Sequence, residues 1–367
     1  MLMDLFDVAI VGAGPAGSAC AGFCALAGLK TVVLEREKFP REKVCGDCLN
    51  PSCWPILNRL GISERARRLP HAILNAVEFI AISGQKIVID FESGVEKLIA
   101  VKRSLFDELI LSRARELAVE IREETTVTTL IAGAKGSEWK IGTTQEQTFA
   151  ARVLVGADGR NSTVARLCNL LPRPARERVA LQAHIPLPAG FDDRIVLQFL
   201  SEGYSGQAPV NCDELNLCLV SKPSHISALR RWAEQQFGVR RDHPWHTITP
   251  LTRTALPPAR DNLFLIGDAA RVVEPFTGEG IYYAMRSGEL AAHAIKTIIQ
   301  GPDGQSTLRE FARNYAAMYH GRLWINHLAR AAVLSPQIAS LFVRVAPFSP
   351  TIMRLLTEKI AGKGALP

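Results

Sequence analysis

The chain has 367 residues, 47% hydrophobic and 22% charged, with 43 Lys and Arg against 36 Asp and Glu for a net charge of +7. That length and balance fit a globular protein with more than one packed region, and exclude disordered and fibrous classes. No apolar run reaches the roughly 18–20 residues of a membrane-spanning helix, and basic residues mix with acids without a recognition motif, which argues against a nucleic-acid partner.

The N-terminus carries Asp4 and Asp7 and lacks a basic leader region. A secretory signal is therefore not expected, and the eight cysteines are expected as thiols in a cytoplasmic setting. The first element is a β-branched strand, Asp7 to Val11, running straight into Gly12-Ala13-Gly14-Pro15-Ala16-Gly17. An alanine-rich helix, Ser18 to Ala27, follows and stops at Gly28; a second strand, Thr31 to Leu34, ends at Glu35. Gly12 permits a tight turn, Gly14 lets backbone approach a pyrophosphate, and Gly17 allows helix and strand to pack closely. Glu35 is placed to accept hydrogen bonds from an adenosine ribose, with Arg36 beside it. Strand, glycine loop, helix, strand and acid in this order indicate a dinucleotide site. Cys20 and Cys24, four apart on the helix, are expected to pack as small apolar residues.

Phe39-Pro40-Arg41 and Lys43-Val44-Cys45-Gly46 come directly after the ribose acid. Cys45, Cys48 and Cys53 form the one cysteine cluster, without the paired four-ligand spacing of a zinc site, so no metal is expected. A structural loop leads for Cys45, with a redox pair with Cys48 as the alternative. Arg103-Ser104-Leu105-Phe106-Asp107 opens a helix through Ala118. A further strand ends at Asp158-Gly159; Asp158 reads as a turn former, with cofactor contact as the alternative.

Between Val179 and Val220 short runs alternate apolar and polar, as in a sheet with one face on a pocket. Gln182 and His184 share a face there, and His184 is either a hydrogen-bonded structural residue or a general base. Leu263 to Ile266 is a buried strand ending at Gly267-Asp268, followed by a Pro/Gly loop and a helix from near Gly280 through Ala294. From Gly321 to Pro367 six Lys or Arg face one acid and are interleaved with apolar residues. This tail reads as a helical region packed on the body, or as a peripheral contact with an anionic membrane.

Taken together, the glycine loop, Arg103, Asp158-Gly159 and Gly267-Asp268 resemble the fold shared by p-hydroxybenzoate-hydroxylase-type flavoproteins, geranylgeranyl reductases and flavin-dependent halogenases. The resemblance covers almost the whole chain, with the motifs in the family's order. It implies an α/β protein: a Rossmann-like FAD-binding domain, an inserted, mostly antiparallel β-sheet substrate domain, and C-terminal helices. Residues 5–72, 100–172 and 254–318 are expected in the FAD domain, 73–99 and 173–253 in the substrate domain, and 319–367 in the helical region. The resemblance also implies that Arg103 contacts the cofactor, that Asp268 holds the ribitol, and that Gly267, Pro275, Gly278, Gly280 and Ile281 lie near the flavin. No second glycine fingerprint occurs, so NAD(P)H is expected to dock transiently as electron donor.

Pro275-Phe276-Thr277-Gly278-Glu279-Gly280-Ile281 and the Phe-Pro-Arg-x-Lys-x-Cys-Gly segment look most like the geranylgeranyl reductases. That branch implies hydride transfer from reduced FAD to carbon–carbon double bonds of an apolar lipid-, isoprenoid- or polyketide-like small molecule. The chain departs from it at Gly203–Pro209, where Gly206 stands in place of a tryptophan, and the halogenase Trp-x-Trp-x-Ile-Pro segment is absent. A monooxygenase working through a flavin hydroperoxide is the alternative, and a non-catalytic flavoprotein the minor one. Cys45, Tyr204 and His184 are the candidate proton donors or bases.

Overall fold

The computed structural model describes residues 5–91, 97–133, 138–172, 178–273, 278–301 and 304–320. Pro275 and the basic tail beyond residue 320 lie outside them. Two large sheets and one small one carry the chain.

The first sheet is built on near-continuous apolar strands, the pattern of a parallel sheet covered on both faces. Leu5–Val11 pairs in parallel with Thr31–Leu34 on one side and Thr148–Gly156 on the other. Leu263–Leu265 adds to the far edge of Thr148–Gly156, and Glu120–Arg122 to the far edge of Thr31–Leu34. A parallel neighbour needs a crossover. The helix Pro15–Leu26 supplies the one between the first two strands, and it packs against helices Gly280–Gln300 and Arg103–Glu116.

Small residues set the closeness of those helices. A Cβ on Gly17 would lie 1.9 Å from the Gly12 carbonyl oxygen, and one on Gly288 would lie 2.4 Å from that of Ala16. The helix that starts at the glycine loop and the helix that starts near residue 280 therefore touch along their backbones. This contact joins two segments far apart in sequence at one edge of the sheet.

The second sheet has seven strands and is antiparallel except where Ala76–Ile80 meets Arg194–Leu200. Its strand alternation divides two faces. Ala183, Ile185, Leu215, Leu217 and Leu219 pack under the helix Ile226–Phe237 through Leu229 and Ala233. The opposite face carries Gln182, His184, Asn216 and Cys218 at one end and Leu197, Phe199 and Tyr204 at the other. Val44, from the segment after Phe39-Pro40-Arg41, packs on the apolar end. A third sheet of Cys48–Leu49, Leu98–Ala100 and Ala72–Leu74 pairs with neither and packs on Ala208 of the second. The expected domain limits at 72/73 and 99/100 fall inside its strands, so only Ala76–Ile80 and Lys86–Asp90 of that stretch join the second sheet. Among the described residues, no helix is long and apolar enough to cross a membrane.

Candidate cofactor and substrate site

The glycine loop has the geometry its spacing predicts. Gly12 has φ +102, and a Cβ there would come within 2.6 Å of the Ala157 carbonyl oxygen, so the loop runs against the Ala157-Asp158 turn. Pro15 starts the helix, and buried Ala16 sits under it. A Cβ on Gly14 would meet only Arg41 Nη2, at 3.6 Å. That leaves backbone N–H groups at a helix start facing open space, the arrangement that receives a phosphate.

Glu35 is buried at the end of its strand. Its Oε2 accepts from Ala13 N–H at 2.7 Å and its Oε1 from Glu37 N–H at 2.9 Å. A carboxylate has lone pairs beyond two such bonds, so Glu35 both shapes the loop and keeps acceptors for a diol. Arg36 is exposed and pairs with Glu37 at 3.3 Å.

Gly267 ends the Leu263–Leu265 strand region with φ +54, and a Cβ would press on that of Ala16 at 3.0 Å. Its N–H donates to Ser287 Oγ at 2.9 Å, which ties the turn to the helix Gly280–Gln300. Asp268 follows, partly exposed, with Oδ2 accepting from Arg160 Nη2 at 3.1 Å. Its carbonyl accepts from Arg253 Nη2 at 2.6 Å. A Cβ on Gly278 (φ +65) would lie 3.5 Å from that of Cys48; Gly280 opens the helix, and Ile281 is buried. Gly267 thus packs on the glycine-loop helix at Ala16 and on the helix Gly280–Gln300 at Ala284.

Charge crowds between the glycine loop and the Gly267 turn. Arg103 is buried and bidentate to Asp107, at 2.7 Å for both bonds. Burial works against its charge, but Asp107 and the Cys45 thiol outweigh that and hold the guanidinium above its ordinary value. Arg41 Nη1 lies 3.4 Å from Asp107 Oδ2 and makes no hydrogen bond. Lys43 is pulled down to about 8 by burial, then by Arg160, Arg103 and Arg41, against the opposing pull of Asp268. Burial is the larger cause of this lowering, and the neighbouring guanidinium groups add to it.

These residues fit FAD. The open cradle at Gly14, with Arg41 Nη2 beside it, and the cations around Lys43 suit a pyrophosphate. Glu35 would hold the adenosine ribose, Asp268 the ribitol, and the Gly278–Ile281 and Cys45-Gly46 segments the ring. Asp158 Oδ2 accepts from Val164 N–H at 3.0 Å, at the turn before helix Thr163–Leu167. Its Oδ1 is buried without a partner among the described residues, and burial raises its pKa.

Of the three candidate proton donors, the structure brings two together. His184 Nε2 lies 2.6 Å from Asp47 Oδ2, and Asn216 Nδ2 donates at 2.8 Å to both Asp47 Oδ2 and the Cys45 carbonyl. Asp47 is fully buried, has φ +58, and burial raises its pKa. Tyr204 is buried in the apolar cluster at the other end, two strands across from His184 and four residues along. Burial pushes the Cys45, Cys48 and Cys218 thiols up. Low thiolate content at neutral pH disfavours the Cys45–Cys48 redox alternative. Arg41, Lys43, Asp47, Arg160 and Asn216 were not among the expected site residues. Arg41 and Lys43 follow the ribose acid closely and could have been found as cations beside a phosphate loop; Asp47 and Asn216 carry no local signal.

A family model described as FAD binding domain matches residues 6–187. Over 313 residues the chain is 31% identical to the menaquinone reductase of Mycolicibacterium smegmatis, covering 78% of this chain and 75% of that protein. It is 28% identical over 324 residues to conditioned medium factor receptor 1 of Dictyostelium discoideum, covering 80% of this chain but only 63% of that longer protein. The fold matches that of the flavin-dependent brominase Bmp2, with a TM-score of 0.80 at 23% identity over 98% of this chain and 94% of that one. These likenesses place the chain in the superfamily of FAD-dependent oxidoreductases that includes the geranylgeranyl reductases, and it is an enzyme of that superfamily.

Proposed function

We propose that the enzyme reduces carbon–carbon double bonds of a largely apolar lipid-, isoprenoid- or polyketide-like molecule, with NAD(P)H as electron donor. The observation that carries this reading is the substrate-facing side of the second sheet. Val77, Phe79, Leu197, Phe199 and Tyr204 give it an apolar end. Gly206 lies in its middle, where a Cβ would make only ordinary contacts with Leu197 at 3.6 Å and Cys218 at 3.9 Å. Those five side chains are buried and pack with Val44, so a hydrocarbon segment bound here would replace part of that packing.

FAD bound at the neighbouring edge supplies two-electron chemistry. The chain's own residues position the substrate and exclude water. The reductase name of the 31%-identical relative supports the reductive direction. An apolar substrate resides in membranes, and the basic residues from Arg322 to Lys363 suit a peripheral contact with an anionic surface.

Product analysis tests the reading. FAD-loaded protein, NADPH and geranylgeraniol are incubated in air and under nitrogen, and products are weighed by mass spectrometry. A product gaining hydrogen and no oxygen, formed equally in both atmospheres, supports reduction. A product containing oxygen, formed only in air, moves the assignment to the monooxygenases.

A further inference from the structure

The polar end of the substrate face has an unusual accounting of hydrogen bonds. Asp47 is 0% exposed and Gln182 1% exposed, yet Asp47 Oδ1 has no hydrogen-bond partner among the described residues. Both side chains end at one imidazole: Asp47 Oδ2 lies 2.6 Å and Gln182 Nε2 3.4 Å from His184 Nε2. A buried acceptor left unmade costs about 1–3 kcal/mol. With Nε2 taken by the carboxylate, the ring's Nδ1 is the acceptor left for a ligand that brings an O–H donor.

The rest of the cluster holds this arrangement rather than competing for it. Asn216 fixes the Cys45-to-Asp47 loop on the sheet, and the Val101 N–H donates to the Asp47 carbonyl at 2.9 Å. With Nε2 directed at a carboxylate, the geometry assigns the Nε2–H tautomer and leaves Nδ1 as a lone pair. Nδ1 is 3.9 Å from Glu42 Oε2, beyond hydrogen-bond reach.

We propose that Asp47, Gln182 and His184 form the head-group site for the substrate of the reductase reading, on which this inference rests. The substrate class is then an amphiphile: a phenol, enol or alcohol at the polar end, with its hydrocarbon part along the apolar strip. His184 exchanges the head-group proton, and Asp47 is the positioning residue behind it. In that step the substrate O–H bond breaks and an N–H bond forms at His184 Nδ1. The product is an oxyanion beside an imidazolium, whose charge Asp47 offsets; no electrons change hands. The charged groups facing the imidazole are Asp47, Glu42 and Glu214, with Arg103 beyond Asp47, Lys102 on Glu214, and the His243 ring on the His184 carbonyl.

The test uses 4-hexylphenol and hexylbenzene as probes. Their dissociation constants are measured by calorimetry with the protein as purified and by flavin absorbance after FAD loading, from pH 5 to 9. The expected result is a preference of about tenfold or more for the phenol, equivalent to about 1.4 kcal/mol. His184→Gln should reduce that preference to about threefold or less, leave hexylbenzene binding unchanged, and remove the ionisation from the pH profile. Asp47→Asn, which tolerates the same positive φ, should also reduce the preference for the phenol, because the imidazolium loses its counter-charge. Equal affinity of the wild type for both probes would overturn the proposal even if neither variant folds. So would a preference and pH profile unchanged in folded His184→Gln. Failure of the protein to take up FAD would defeat the reductase reading separately, since calorimetry on the cofactor-free protein still measures the head-group preference.

Discussion

Gly288 rests on the carbonyl of Ala16, so close that a Cβ would lie 2.4 Å from the oxygen. This single contact seats the helix behind the flavin-side turn against the helix behind the phosphate loop. Backbone, not a flexible side chain, stands in the way of anything larger. Gly288→Ala should therefore destabilise by at least about 1–3 kcal/mol, the range for overpacking, and lower the melting temperature by roughly 2–4 °C per kcal/mol. Exposed His293, five residues on in the same helix, serves as control: His293→Ala should stay within about 0.5 kcal/mol. Thermal melts of the two variants decide it, and equal melts would refute the close helix contact.

Lys43 should make FAD affinity pH-dependent. Its pKa of about 8 lies below the ordinary lysine value because of burial and the neighbouring arginines. For a cation with a lowered folded-state pKa, the sign is clear. Below about 8 the folded protein bears the cost of keeping Lys43 charged, and stability rises as pH climbs from about 8 toward the unfolded value. A bound pyrophosphate needs the charged form. FAD should therefore bind less tightly as pH rises through about 8, and Lys43→Met should weaken binding at pH 7 but match the wild type near pH 10. Fluorescence titrations across that range would show parallel curves if Lys43 were remote from the cofactor.

Asp268→Ala removes the acceptor expected for the ribitol and leaves Arg160 without its partner at 3.1 Å. The FAD dissociation constant should rise by roughly tenfold or more, about 1.4 kcal/mol. Equilibrium dialysis gives the number, and unchanged affinity would take Asp268 out of the site.

The parts of this site that could be read directly from the residues are those set by local geometry. Gly12, Gly14 and Gly17 mark a turn, a close approach and a helix contact within six residues, and Glu35 and Asp268 each end a strand. Strand alternation likewise placed Gln182 and His184 on one face. What alternation does not contain is a partner. Asp47 reaches Asn216 across 169 positions and His184 across 137, and only the packing of the second sheet on the Cys45–Asp47 loop brings them together. The same holds for Arg160 and Asp268, 108 positions apart. Asp158 illustrates the limit of a motif: a carboxylate at a strand end can be directed at a ligand or folded back on its own turn, and here Oδ2 goes to Val164 N–H.

Gly206→Trp should separate substrate binding from cofactor binding. The position has room at its Cβ but sits between Leu197 and Cys218 on the substrate face. An indole there fills the middle of the strip. FAD affinity should stay within about twofold, while KM for a long olefin rises by roughly tenfold or more. Unchanged KM would show that the hydrocarbon lies elsewhere.

The proposed reaction is direct two-electron transfer from bound FAD to an olefin. The decisive measurement is stopped-flow absorbance of FAD-loaded enzyme, reduced under nitrogen and mixed with oxygen-free geranylgeraniol. Return of the oxidised flavin spectrum at a rate that rises with olefin concentration is the predicted result. A flavin that stays reduced with the olefin, and reoxidises only when oxygen is admitted, would contradict it.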